Sequence, residues 1–176
     1  IQALNDCENS ILQTVMYLAL GCSMRLGEIL GLQWGQIHME DDLVSSGEAY
    51  LKIDRELRRG SNDSIEALEQ VQRSTVMFKF PVIMPKKCTT TLVLKAPKTE
   101  SSNRTVYLPM AVVHELQRVQ KRQEEYKLLL GDEYRDYGLV IAQLNGRPYE
   151  QRVIDKMFHK LIQKTGLRPV VFHSLR

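Results

Sequence analysis

A mainly helical α+β fold with one small antiparallel sheet is predicted, on three observations. Apolar residues recur at helical spacing near both ends of the chain, over 8–20 and 150–164. The middle instead holds short runs rich in Val, Thr, Phe and Leu, at 75–80 and 90–96, which suit strands. The element order reads helix, helix, small antiparallel sheet, helix, short strand, helix. At 176 residues the chain can form one domain with a real core, or at most two small ones. Its 43% hydrophobic and 26% charged residues are ordinary globular composition, not disorder.

In chain order, Ile11, Leu12, Val15, Met16 and Ala19 line one face of the first helix, which Gly21 is expected to end. A shorter helix over about 25–33 turns Leu26, Ile29 and Leu30 inward. After an acidic turn at Glu40-Asp41-Asp42, residues 49–58 alternate as a strand. Asp63 and Glu66 stand at capping-box spacing in an insert at 62–72, so a small helix is expected there. The strand over 90–96 leads through a polar turn into Thr105-Val106-Tyr107-Leu108, which predicts a hairpin. Pro109 opens a long helix to about Leu130, with Val112, Leu116 and Val119 on one face. Leu139–Ala142 is a short apolar run before a turn at Asn145-Gly146. The last helix, Glu150 to Lys164, repeats Val153, Ile154, Met157, Phe158, Leu161 and Ile162, and Gly166 caps it.

Charge is unevenly placed. Residues 1–49 sum to −6 and residues 50–176 to +9, an asymmetry that suits a polyanionic partner. Cys7, Cys22 and Cys88 are odd in number and form no CxxC pair, which excludes a disulfide framework and makes a zinc site improbable. Together with the lack of a secretory signal or an eighteen-residue apolar stretch, this implies a cytoplasmic protein with no membrane partner. The acidic run beside His38 reads as a solvated turn rather than a metal site.

Three weak signals carry chemistry when taken in order. Arg25 and Glu28 stand three apart at a helix start, where free backbone N–H groups favour an anion and a guanidinium adds a bidentate phosphate clamp. In isolation the pair is an ordinary surface ion pair. Lys98 lies on the expected hairpin tip, from which a lysine can reach a groove of DNA and donate a proton. His173 and Arg176 would share one face of a helical turn at the end of the chain.

These motifs resemble the catalytic domain of the tyrosine recombinases, the phage-integrase family. The first family box appears as Gly21-x-x-x-Arg25-x-Gly27-Glu28-x-x-x-Leu32-x-Trp34. The hairpin lysine appears as Pro97-Lys98-Thr99, followed by Arg104-x-Val106-x-Leu108-Pro109, and the second box opens as His173-Ser174-Leu175-Arg176. The resemblance implies a tyrosine-recombinase catalytic-domain-like fold over 1–176. It also implies site-specific DNA recombination or integration through a 3′-phosphotyrosyl intermediate, as in phages and mobile genetic elements. Arg25 and Arg176 would hold the phosphate oxygens, Lys98 would protonate the leaving 5′-oxygen and His173 would assist proton transfer at the nucleophile. Glu28 would steady Arg25 or its helix. No cofactor or metal is implied; the partners are double-stranded DNA and, in a synaptic complex, other protomers.

The insert around 59–87 departs from the family's minimal sheet. The family's third box and tyrosine would follow Arg176, and none of the seven tyrosines lies after His173. The chain is therefore expected to be a partial catalytic domain, without its N-terminal DNA-binding modules or its nucleophile segment, and inactive in cleavage by itself. A non-catalytic DNA-binding module, a type IB topoisomerase and a helical interaction domain are the competing classes. Intact Arg25, Lys98, His173 and Arg176 argue against the first, the compact boxes against the second and their coincidence against the third.

Overall fold

Asn9 starts the first helix through its side chain: Oδ1 accepts from the Leu12 N–H at 2.9 Å. Helix α1 (Ser10–Cys22) then buries Leu12, Val15, Met16 and Ala19. The computed structural model describes residues 4, 7–70, 75–82, 88–97 and 102–175. Gly21 does not end α1, contrary to expectation. A Cβ there would meet Val112 Cγ2 at 2.7 Å, so the glycine serves close packing against the long helix. The stop falls at Ser23, in the left-handed region at φ 51°.

Helix α2 (Leu26–Gly31) follows, shorter than expected because Leu32 turns extended. There the Leu32 carbonyl accepts from the Val140 N–H at 2.9 Å, while Gln33 bridges to Leu139. Strand β1 (Ile37–His38) leads into α3 (Asp41–Ser46). The expected acidic turn is instead the first turn of this helix, where Asp41 and Asp42 complement the positive end of the helix dipole.

The strand expected over 49–58 is two strands, β2 (Tyr50–Ile53) and β3 (Glu56–Ser61). The break falls at Asp54-Arg55, whose side chains pair with each other at 2.7 Å and bond to Gln36 and Gln33 respectively. Helix α4 (Asn62–Glu69) is capped by Ser61, whose Oγ accepts from the Ser64 N–H, rather than by the Asp63–Glu66 box. Strands β4 (Val76–Lys79), β5 (Thr90–Lys95) and β6 (Arg104–Tyr107) complete two antiparallel sheets, ordered β1-β2-β6 and β3-β5-β4. The expected β5–β6 hairpin is therefore absent. β5 pairs with β3 in the register Leu57↔Leu94, and β6 pairs with β2 in the register Leu51↔Val106. Because the chain changes sheets at Asp54-Arg55, the connection after β5 has to change back.

Helix α5 (Met110–Leu130) packs Val112, Leu116 and Val119 inward, as its periodicity predicts. Two buried polar groups tie it down. Thr14 Oγ1 donates to Glu115 at 2.7 Å, and Gln123 accepts from Trp34 Nε1 at 2.7 Å while donating to the Leu139 and Val140 carbonyls. Trp34 of the first box is thereby fixed to α5 and to the buried run Leu139–Ala142. Helix α6 (Gln151–Thr165) buries Ile154, Phe158, Leu161 and Ile162, and Gly166 closes it at φ 65°. Phe172 sets its ring edge-on to Phe158, with centroids 5.4 Å apart, and so joins the final 3₁₀ turn, Phe172–Leu175, to the same core. The α+β, mainly helical class holds, with two small sheets in place of one.

Candidate active site

Arg25 sits just ahead of α2, with extended backbone at φ −74° and ψ 150°. Its N–H donates to Glu28 Oε2 at 2.8 Å and its Nη1 to Oε1 at 2.9 Å. The i,i+3 spacing thus folds the carboxylate back over the helix start, where it answers an orphan donor. Glu28 is only 4% exposed, while the Arg25 side chain is 49% exposed. A second guanidinium, that of Arg104 on β6, reaches the same carboxylate at 2.9 Å. Burial pushes the Glu28 carboxyl up. The bonds from Arg104 and from the Arg25 backbone and side chain outweigh it, and the group titrates below its ordinary value.

Arg25 and His173, although near opposite ends of the chain, line one cleft of about 520 Å³. Met24, Leu26, Phe158 and Phe172 give it apolar walls, and Glu56, Arg58, Asp155 and His159 add titratable groups, with Glu56 paired to Arg58 at 3.4 Å and to Lys95 at 3.2 Å. Buried Phe172 anchors the turn, so its exposed neighbour His173 is carried to the cleft. Asp155 and His159 are one helical turn apart on α6; burial holds the Asp155 carboxyl above its usual value, and the nearby His159 opposes that only in part. Through Arg58, Gln151 and Asp155 the cleft continues into a shallower groove of about 450 Å³, which adds Arg59 and Arg152.

Of the residues expected at the site, the structure brings together Arg25, Glu28 and His173. Lys98 and Arg176 lie outside the described residues. Arg58, Asp155 and His159 were not anticipated. The i,i+4 spacing of Asp155 and His159 was visible in the sequence, but nothing local says which face of α6 borders a cleft. Arg104 stood in the motif without a role, because its partner Glu28 is 76 positions away. Among the described residues, no group of three or more His, Cys, Asp or Glu side chains is placed to hold a metal ion. His38 stacks on Tyr50, with ring centroids 4.4 Å apart.

A cleft presenting an arginine at a helix start and a histidine on a short turn can bind an anion and move a proton. No family model matches the chain. A curated relative, a tyrosine recombinase XerC-like protein from Caldanaerobacter subterraneus subsp. tengcongensis, is 28% identical over 174 residues, covering 94% of this chain and 36% of the relative. Among solved structures, the transposon Tn1549 integrase in complex with circular intermediate DNA superposes with a TM-score of 0.60 at 16% identity, over 93% of this chain and 43% of the integrase. A second structure of that integrase, with transposon right end DNA, gives 0.58 at the same identity, over 94% and 43%. The fold is shared with part of that integrase, and the sequence similarity points the same way. The resemblance to the tyrosine recombinases is borne out. The chain spans well under half the length of these relatives.

Proposed function

We propose that residues 1–176 are part of the catalytic domain of a site-specific DNA recombinase that cleaves and rejoins strands through a 3′-phosphotyrosyl intermediate, and that they supply its phosphate-binding and acid–base residues but not its nucleophile. The observation that carries this is the meeting of Arg25 and His173 in one cleft, with Arg25 held by a buried carboxylate. In the reaction a tyrosine oxygen attacks the scissile phosphorus and the bond to the 5′-oxygen breaks. His173 assists removal of the tyrosine proton, and Lys98 protonates the departing 5′-oxygen. Arg25 and Arg176 compensate the charge on the non-bridging oxygens, because their planar forks match phosphate and stay charged at any working pH. The reverse attack by a partner strand's 5′-hydroxyl restores the phosphodiester and the tyrosine. The cations supply the charge compensation, so this route calls on no metal or cofactor.

The partner is double-stranded DNA, together with further protomers in a synaptic complex. The arginines of the cleft and its neighbouring groove suit a phosphate backbone. No described helix is long and apolar enough to cross a membrane, and the site of action we infer is the cytoplasm.

The test uses a polypeptide that continues past Arg176 into the family's third box and tyrosine. A suicide substrate nicked beside the scissile phosphate should trap a covalent protein–DNA complex. Arg25→Ala should abolish trapping, since losing even a neutral oxyanion donor costs about 2.7–4 kcal/mol. Chelators should leave it unchanged. Trapping that survives Arg25→Ala, or an adduct on the 176-residue chain itself, would overturn the assignment.

A further inference from the structure

We propose that Arg104 is a positioning residue that keeps the Arg25 charge available to the substrate phosphate by neutralising Glu28 in its place. The proposal rests on the Arg25 cleft being a phosphate site. Glu28 is one negative charge, almost fully buried, set between two guanidinium groups. Arg104 takes the larger share: Nη1 lies 3.2 Å from Oε1 and Nη2 2.9 Å from Oε2. This fork-on-fork geometry leaves Arg25 one side-chain bond to the carboxylate, from Nη1. Nε and Nη2 of Arg25 have no partner among the described residues, and its half-exposed fork borders the cleft. Arg104 does not line the cleft, so it acts through Glu28 and not on the ligand.

Two positive charges against one leave a net positive charge at the mouth of α2. Remove Arg104, and a buried carboxylate in a medium of low dielectric takes Arg25 as its sole counterion. The phosphate then meets a neutral pair. Arg104 is itself held in place. Its β6 position pairs with Ile53 of β2, Nη1 also donates to the Ser102 carbonyl at 3.2 Å, and Nη2 to the Ser23 carbonyl at 3.4 Å. The same side chain therefore ties the end of the β5–β6 connection to the segment entering α2.

A staple that only joined β6 to α2 would show the same contacts, so the test separates charge from attachment. Inorganic phosphate is titrated into the 176-residue chain at low ionic strength, while NMR follows the Arg25 Nε–H and the His173 ring. Arg104→Met should weaken phosphate binding at least about tenfold, the scale of one charge-assisted bond. Adding Glu28→Gln to Arg104→Met should restore most of that affinity, although the double variant has no more contacts than the single one. Arg104→Lys, which keeps charge but loses the fork, should stay within about threefold of the parent chain. Unchanged binding in Arg104→Met, no recovery in the double variant, or a tenfold loss in Arg104→Lys would each overturn the proposal. If Arg104→Met does not fold, the lysine variant decides it. Arg25→Ala is the control for the site: if it binds phosphate as the parent chain does, the phosphate cleft itself is wrong and Arg104 falls with it.

Discussion

Glu28 is a buried carboxylate held between two guanidinium groups. Its carboxyl is held below the ordinary value because the bonds from Arg104 and Arg25 exceed the cost of burial. A carboxylate depressed in the folded chain stabilises it above the unfolded pKa, about 4.3 for glutamate, and loses that contribution as pH falls through the folded value. The urea midpoint of the parent chain should therefore exceed that of Glu28→Gln at pH 6, and the gap should narrow as pH falls below about 4. A gap that stayed constant from pH 6 to 3 would mean that the carboxylate is not what Arg25 and Arg104 hold. At neutral pH, Glu28→Ala should cost about 1–3 kcal/mol in chemical denaturation, because two donors lose an acceptor while remaining partly open to water.

At the scale of elements, α2 is placed by what lies beneath and beside it. Gly31 rests on β3 so closely that a Cβ would meet the Leu57 nitrogen at 2.8 Å and the Glu56 carbonyl carbon at 3.0 Å. Gly31→Ala would normally gain about 1 kcal/mol in a helix. Here the obstacle is backbone, so overlap should win, with a net loss of about 1–3 kcal/mol in a denaturant titration. A stabilised Gly31→Ala would mean that α2 has room to lift and that the helix bearing Glu28 is less fixed than the packing implies. Gln123 is the corresponding anchor on α5. Gln123→Leu would leave Trp34 Nε1 and the Leu139 and Val140 carbonyls without their partner. Stability should fall by at least about 2 kcal/mol, since each unsatisfied buried group costs about 1–3 kcal/mol. A thermal melt unchanged from that of the parent chain would contradict this.

For the molecule as a whole the governing quantity is the charge imbalance, −6 over residues 1–49 and +9 over 50–176. Binding to duplex DNA should show little sequence preference and should weaken steeply with salt, with a log–log slope of about −0.9 per phosphate neutralised. Arg25→Ala should reduce the magnitude of that slope by about 0.9, the loss of one phosphate contact. Fluorescence anisotropy across a salt series measures both. Affinity indifferent to salt, or no binding at low ionic strength, would remove DNA as the partner.

Local periodicity alone was enough to locate α1, α5 and α6. Their apolar residues recur at 3.6-residue spacing, and that pattern stabilises a helix whichever neighbours cover it. The Arg25–Glu28 pair was legible for the same reason, since residues three apart on a helix start are neighbours by construction. Strand partnership was not. β5 and β6 are consecutive and could have formed a hairpin, yet each pairs with a strand from earlier in the chain. Alternation says that a strand exists and which of its faces is apolar, but pairing depends on where the chain changes sheets, and the Asp54-Arg55 contacts with Gln33 and Gln36 mark that place. Only tertiary structure could bring Arg104 onto Glu28 or His173 to the cleft of Arg25. The Arg104–Glu28 bonds span 76 positions, and Arg25 and His173 reach one cleft from near opposite ends of the chain. Electrostatics and burial act through space, and a local pattern carries no record of what lies across a cleft.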